Sequence, residues 1–82
     1  MPLVRVLAFA RARELLMGRE RSLDLPAGAR VRDAWAALAS QVPELETLAG
    51  STRIARNGRI GSLDDVLRDG DELALLPPVG GG

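Results

Sequence analysis

The chain has 82 residues, eleven basic and eleven acidic, for a formal net charge of zero. A domain this small buries only about 60–65 % of the surface its unfolded chain exposes, so it has room for one compact core. It contains no cysteine and no histidine, which rules out disulfide staples, the usual thiolate and imidazole zinc sets, and any Ser-His or Cys-His nucleophile pair.

The charge balance also argues against a nucleic-acid binder, which normally carries a basic excess and aromatic stacking platforms; the only large aromatics are Phe9 and Trp35. No apolar run approaches the roughly 18–20 residues of a membrane span. Met1 is not followed by a basic and then an apolar stretch, so no membrane association and a cytoplasmic location are expected. All eleven basic residues are arginine, a bias we attribute to genome base composition, since adaptation to heat leaves only a weak signal of this kind. Asp64, Asp65, Asp69, Asp71 and Glu72 lack the alternating ligand loop of a hard-cation site and read as turn residues. No metal and no bound cofactor are expected.

Residues 3–9 are apolar and β-favouring apart from Arg5, and read as a first strand. Alternation puts Val4, Val6 and Ala8 on one face and Leu3, Arg5, Leu7 and Phe9 on the other. A short helix over 11–17, docked by Leu15 and Leu16, stops at Gly18. Arg19 lies in the following loop, expected to be remote from the C terminus. Residues 21–25 form a second strand with Leu23 and Leu25 on one side, ended by Pro26. Val31, Ala34, Trp35, Leu38 and Val42 then recur at helical spacing. They predict the main helix, about two and a half turns long, with Trp35 as its core anchor and Pro43 at its end. Residues 45–50 read as irregular. A third strand over 53–57 runs into Asn57-Gly58, a strong hairpin signal, and 59–61 return as a fourth. After a turn at Asp69-Gly70-Asp71, residues 72–76 form the last strand with Leu73 and Leu75 on one face. Pro77-Pro78 stop the ladder, because proline donates no backbone hydrogen bond.

Strands gathered around one packed helix make an α+β domain. Placing the first and last strands side by side in parallel at the sheet centre buries both inner faces. This is a β-grasp: a mixed sheet of four to five strands on one main helix. The domain is expected to fill residues 1–76, with 77–82 as a flexible tail ending in Gly81-Gly82.

Four segments resemble one known family, that of MoaD, the ubiquitin-like small subunit of molybdopterin synthase. Val6-Leu7-Ala8-Phe9-Ala10-Arg11-Ala12-Arg13-Glu14-Leu15 resembles its first strand and F-A-x-x-R-E-L helix start. Asn57-Gly58 resembles its late hairpin, and Asp69-Gly70-Asp71-Glu72-Leu73-Ala74 its D-G-D-E-V-A turn and last strand. Pro77-Pro78-Val79-Gly80-Gly81-Gly82 resembles the terminal P-P-V-x-G-G, with Gly80 at the variable position and Gly81-Gly82 in register. The D-G-D-E turn also occurs in other ubiquitin-like carriers; the ending is the specific part.

The resemblance implies that the working group is the carboxylate of Gly82. A MoeB-like adenylyltransferase would use ATP to form an acyl-adenylate there, and a sulfur donor would convert it to a thiocarboxylate. That terminus would enter a MoaE-like large subunit, in a heterotetramer, and give its sulfur to cyclic pyranopterin monophosphate to build the molybdopterin dithiolene. The acid and base groups would belong to the partner, so the chain is not an enzyme alone.

Elementary geometry fits this use. A terminus that threads into a narrow site needs residues without a Cβ, which Gly81 and Gly82 supply. Pro77-Pro78 fix the direction of exit. Six residues from Pro77 to Gly82 reach at most about 20 Å. Beside the exit, Leu7, Phe9, Ala74, Leu76 and Ile60 face away from the inferred core, and a contiguous exposed apolar patch marks a partner site. Phe9, Ile60, Leu76, Pro77 and Val79 are therefore the candidate partner contacts. Rival readings are a ThiS-like carrier for thiamine synthesis, which generally lacks the F-A-x-x-R-E-L segment, a ubiquitin-like protein modifier attached through Gly82, and a docking module with an inert tail.

Overall fold

The structure, a computed structural model, describes residues 2–78. Its elements are β1 (Leu3–Ala8), α1 (Ala10–Leu16), β2 (Glu20–Asp24), α2 (Val31–Gln41), a 3-10 helix (Pro43–Leu48), β3 (Arg53–Arg56), β4 (Arg59–Ile60) and β5 (Glu72–Leu76). The five strands form one sheet in the order β2-β1-β5-β3-β4. β1 and β5 pair in parallel at the centre, with Val6 opposite Leu73 and Ala8 opposite Leu75, and every other pairing is antiparallel. This is the ubiquitin-like β-grasp, and the strand alternation expected from the sequence sets its inner face. Val4, Val6, Leu73 and Leu75 are at most 1 % exposed, and fully burying each such side chain stabilises by about 1.5–3 kcal/mol.

α2 lies on that face through Val31, Ala34 and Leu38. Its first turn is held from two sides. The Asp33 carboxylate accepts the Arg30 N–H at 2.8 Å, which is half of a capping box. The Val31 and Arg32 N–H groups donate to the carbonyls of Asp65 and Leu63 at 3.0 and 2.9 Å, so segment 61–67 satisfies donors that a helix start otherwise leaves unpaired.

Three expectations need correction. Trp35 is not a core anchor: it is only partly buried and packs on the side of the core, while its Nε1 donates to Glu46 Oε1 at 3.3 Å. Residues 45–50 are not simply irregular. The 3-10 helix begins at Pro43, and its i, i+3 eclipse stacks Leu45 and Leu48 toward the core, with Leu45 0 % exposed. α1 ends one residue earlier than expected, because Met17 and not Gly18 takes the left-handed position, with φ 58°. The Met17 and Gly18 N–H groups close the helix by donating to the carbonyls of Glu14 and Arg13.

Candidate functional site

The last strand leads to the Pro77-Pro78 pair that precedes the C-terminal segment. Leu76, its final residue, sits opposite Arg53 of β3, and the exposed Pro77 and Pro78 follow. Val79, Gly80, Gly81 and Gly82 lie outside the described residues.

Strand register assembles the outer face beside this exit. Leu7 pairs with Ala74, Ala74 with Ala55, and Ala55 with Ile60, so these four side chains form one row across β1, β5, β3 and β4. Ile60 is 57 % exposed and Ala55 only 6 %. Leu7, Ala74 and Leu76 are partly buried. Phe9 continues the extended backbone of β1, with φ −133° and ψ 156°. Ala10 then turns the chain at φ 51°, leaving Phe9 43 % exposed at the tail end of the sheet. The structure thus brings Phe9, Ile60 and Leu76 onto one face, with Pro77 at its edge. Ala55, at the middle of the row, was missed by sequence reading, and the alternation of β3 against Asn57-Gly58 was the signal for it.

Charge borders the row. One step toward the start of β5, Arg5 pairs with Glu72 across the strands. The Glu72 hydrogen bond and charge hold the Arg5 pKa above its ordinary value, with Glu20 adding to the effect. On the other side Arg53 stands beside Leu76. Arg19 is not remote from the tail end, as the sequence suggested: its carbonyl accepts the Ala8 N–H at 2.8 Å, and it lines a cleft with Leu7, Phe9, Arg13 and Glu20.

A polar clamp fixes the hairpin that carries Ile60. Asn57 and Gly58 have φ 52° and 84°, the two positive values a type I′ turn requires. The Asn57 side-chain amide donates to Asp71 Oδ1, and its oxygen accepts the Glu72 N–H, both at 2.9 Å. Asp71 Oδ2 accepts the Arg68 N–H at 2.8 Å and faces Arg56 at 3.6 Å. Burial pushes the Asp71 pKa up. The hydrogen bonds from Asn57 and Arg68 and the Arg56 charge outweigh that and hold it below the ordinary carboxylate value.

The other carboxylates near these turns have local partners too. Asp69 accepts the Leu3 N–H, Asp64 pairs with Arg32, and Asp65 accepts the Ser62 N–H. Among the described residues no three acidic side chains converge on a point that could hold a metal ion, and no helix is long and apolar enough to cross a membrane. A groove of about 320 Å³ lies on the helix side of the sheet, lined by Arg32, Trp35, Glu46, Ala49, Thr52, Ile54 and Leu63. It does not adjoin the outer row, because Ile54 points to the opposite face from Ala55.

A mixed five-stranded sheet with one main helix packed on it defines the class of ubiquitin-like β-grasp proteins. The chain belongs to the ThiS family, whose model matches residues 6–82, and within that family it is MoaD-like. It is 33 % identical over 79 residues to the molybdopterin synthase sulfur carrier subunit of Arabidopsis thaliana, covering 96 % of this chain and 82 % of that one. Among solved structures it resembles the Haloferax volcanii small archaeal modifier protein 1, with a TM-score of 0.87 and 32 % identity over 96 % of this chain and 100 % of that one. It also resembles a chain in the complex of subunits 1 and 2 of the molybdopterin-converting factor from Helicobacter pylori, with a TM-score of 0.70 and 26 % identity over 98 % and 99 % of the two chains.

Proposed function

We propose that this chain is the sulfur carrier subunit of a molybdopterin synthase, working through a thiocarboxylate on Gly82. The observation that carries the reading is positional. The strand that leads to Gly81-Gly82 also forms part of the outer apolar row, which Phe9 and Ile60 bring to the surface, so one docking event seats the body and delivers the terminus. Full-length likeness to a molybdopterin synthase sulfur carrier subunit supports the pathway, and likeness to a subunit 1 solved with its subunit 2 supports a large-subunit partner.

The chemistry follows from the weakness of a carboxylate as an acyl donor. On a MoeB-like adenylyltransferase, a Gly82 oxygen attacks the α-phosphorus of ATP and pyrophosphate leaves. Sulfur from a donor attacks the acyl carbon, AMP leaves, and a thiocarboxylate remains. In the large subunit that sulfur passes to cyclic pyranopterin monophosphate, with the partner's side chains as acid and base, in a heterotetramer in the cytoplasm. This chain binds no cofactor and contributes orientation and reach: β5 fixes where the thread starts, and Pro77 to Gly82 span up to about 20 Å.

The likeness to a small archaeal modifier protein favours a second reading, attachment of Gly82 to target amines. Both readings need a free Gly82; a docking module with an inert tail does not. Deleting Gly82, or adding one residue after it, is expected to abolish thiocarboxylate formation and leave the unfolding temperature unchanged. Normal thiocarboxylate yield from the deletion would overturn the proposal.

A further inference from the structure

We propose that arginine in place of lysine around the root of the tail keeps this chain from acylating itself, and that Arg53 is the position where this matters most. The inference rests on the reading of Gly82 as an activated acyl group.

All eleven basic residues are arginine. A carrier whose terminus is activated holds an electrophilic carbon on a tether, and any amine within reach is a competing nucleophile. The fold ranks the arginines by distance from the tail root: Arg53 is on the strand next to Leu76, whereas Arg19, which lines the cleft with Phe9, lies beyond β1 at the start of β2. Arg53 pairs with Leu76, the last residue of β5, so the two backbones are about 5 Å apart. Its side chain is exposed. From Pro77 the chain has six residues and reaches at most about 20 Å. Arg56, opposite Leu73, is about 10 Å further down the sheet and is engaged with Asp71. Arg68 lies beyond the other end of β5, next to the Asp69-Gly70 turn.

A lysine at position 53 would meet the acyl carbon intramolecularly, six residues along the chain from its strand partner, at an effective concentration in the millimolar range that a short linkage gives. With a pKa near 10.4, about one lysine in 250 is a neutral amine at pH 8. The amine lone pair would attack the Gly82 carbonyl carbon, AMP would leave with the bonding electrons, and the nitrogen would lose one proton. The amide left behind is a dead end, because neither a sulfur donor nor the large subunit can reopen it. A guanidinium stays protonated at any working pH and its lone pairs are delocalised. Arginine therefore keeps the positive charge at the tail root and removes the nucleophile.

The test needs neither an activating enzyme nor a sulfur donor, so its failure leaves the proposed function untouched. The chain is released from an intein fusion by 2-mercaptoethanesulfonate, which leaves a thioester on Gly82. Wild type, Arg53→Lys and Arg68→Lys thioesters are incubated at about pH 8.5, where lysine is about 1 % neutral, with circular dichroism confirming that all three are folded. The Arg53→Lys thioester is expected to disappear at least fivefold faster than wild type. Its products would be a species lighter by the thiol, with the introduced lysine side chain joined to Gly82 in the tandem mass spectrum, and covalent dimers linked through the same lysine. Wild type and Arg68→Lys are expected to give hydrolysed chain. Consumption of Arg53→Lys at the wild-type rate without an amide would overturn the proposal. So would wild type forming amide as fast through its α-amino group, or Arg68→Lys reacting as fast as Arg53→Lys.

Discussion

Asp71 and Asn57 together hold three chain segments in place: the hairpin turn, the start of β5 and the Arg68 backbone. Because the Asp71 pKa is held below its unfolded value, its contribution is present above about pH 4, the unfolded carboxylate value. It is lost as pH falls through the folded value. Asp71→Asn keeps the size but loses the charge and can accept with only one oxygen, leaving a part-buried donor, the Asn57 amide or the Arg68 N–H, without its partner. It is expected to destabilise by about 1–3 kcal/mol at neutral pH, and the gap to wild type should shrink when thermal unfolding is repeated near pH 3. Core residues divide in the same local way. Leu45→Ala is expected to cost about 2–5 kcal/mol, whereas Trp35→Ala should cost less than Leu45→Ala, since Trp35 is only partly buried and its indole N–H has a single side-chain partner. Chemical denaturation of both variants checks the order. The sequence points to Trp35 because it falls in the helical stripe. At 100° per residue, though, it stands about 65° round α2 from the mean direction of Val31, Ala34 and Leu38, enough to move a large ring from the centre of the contact to its rim.

Elements differed in how far periodicity reached. Strands β1 and β5 were legible because a two-residue alternation over five or six residues leaves one arrangement that buries both inner faces. Asn57-Gly58 placed β3 and β4 for the same kind of local reason. The 3-10 helix was not legible: six residues with one proline carry too few repeats to show a period, and only the surrounding core makes Leu45 indispensable. The turn at Ser62 to Asp65 was legible, but its backbone bonds to the start of α2 were not, since no side-chain pattern announces them. The candidate docking face was half legible. Alternation separated Leu7 and Leu76 from the core face, but only strand register shows that Ala55 lies between Ala74 and Ile60. Phe9→Arg and Ile60→Arg are expected to leave the domain folded, since both side chains are more than 40 % exposed. Each should weaken binding to the large subunit by about 2 kcal/mol or more, roughly thirtyfold, because the new charge must be desolvated against an apolar contact. Leu76→Arg should do the same with a larger cost to folding, as Leu76 is partly buried. Titration calorimetry against the purified large subunit, with Arg68→Ala as the distant control, is the check. Wild-type affinity in all three variants would place the interface elsewhere.

At the scale of the whole molecule, the proposed function divides the work between a body that is recognised and a terminus that reacts. The body offers one apolar row with charge on both borders. The sequence holds no histidine and no cysteine, and Asp64, Asp65 and Asp69 are each engaged by a local partner. Family membership was legible at both ends of the sequence, in the Phe9 to Leu15 segment and in the Pro77 to Gly82 ending. The coupling of these two ends was legible as well: the parallel pairing of β1 with β5, expected from the sequence, puts Phe9 and the end of β5 at the same end of the sheet. The most direct measurement is the intact mass of the chain after incubation with ATP, an adenylyltransferase of the MoeB type and a sulfur donor. The account predicts a gain equal to replacing one oxygen by one sulfur, confined to a C-terminal fragment containing Gly82 and absent without ATP. An unchanged mass under conditions in which the same enzymes load a known sulfur carrier would contradict it.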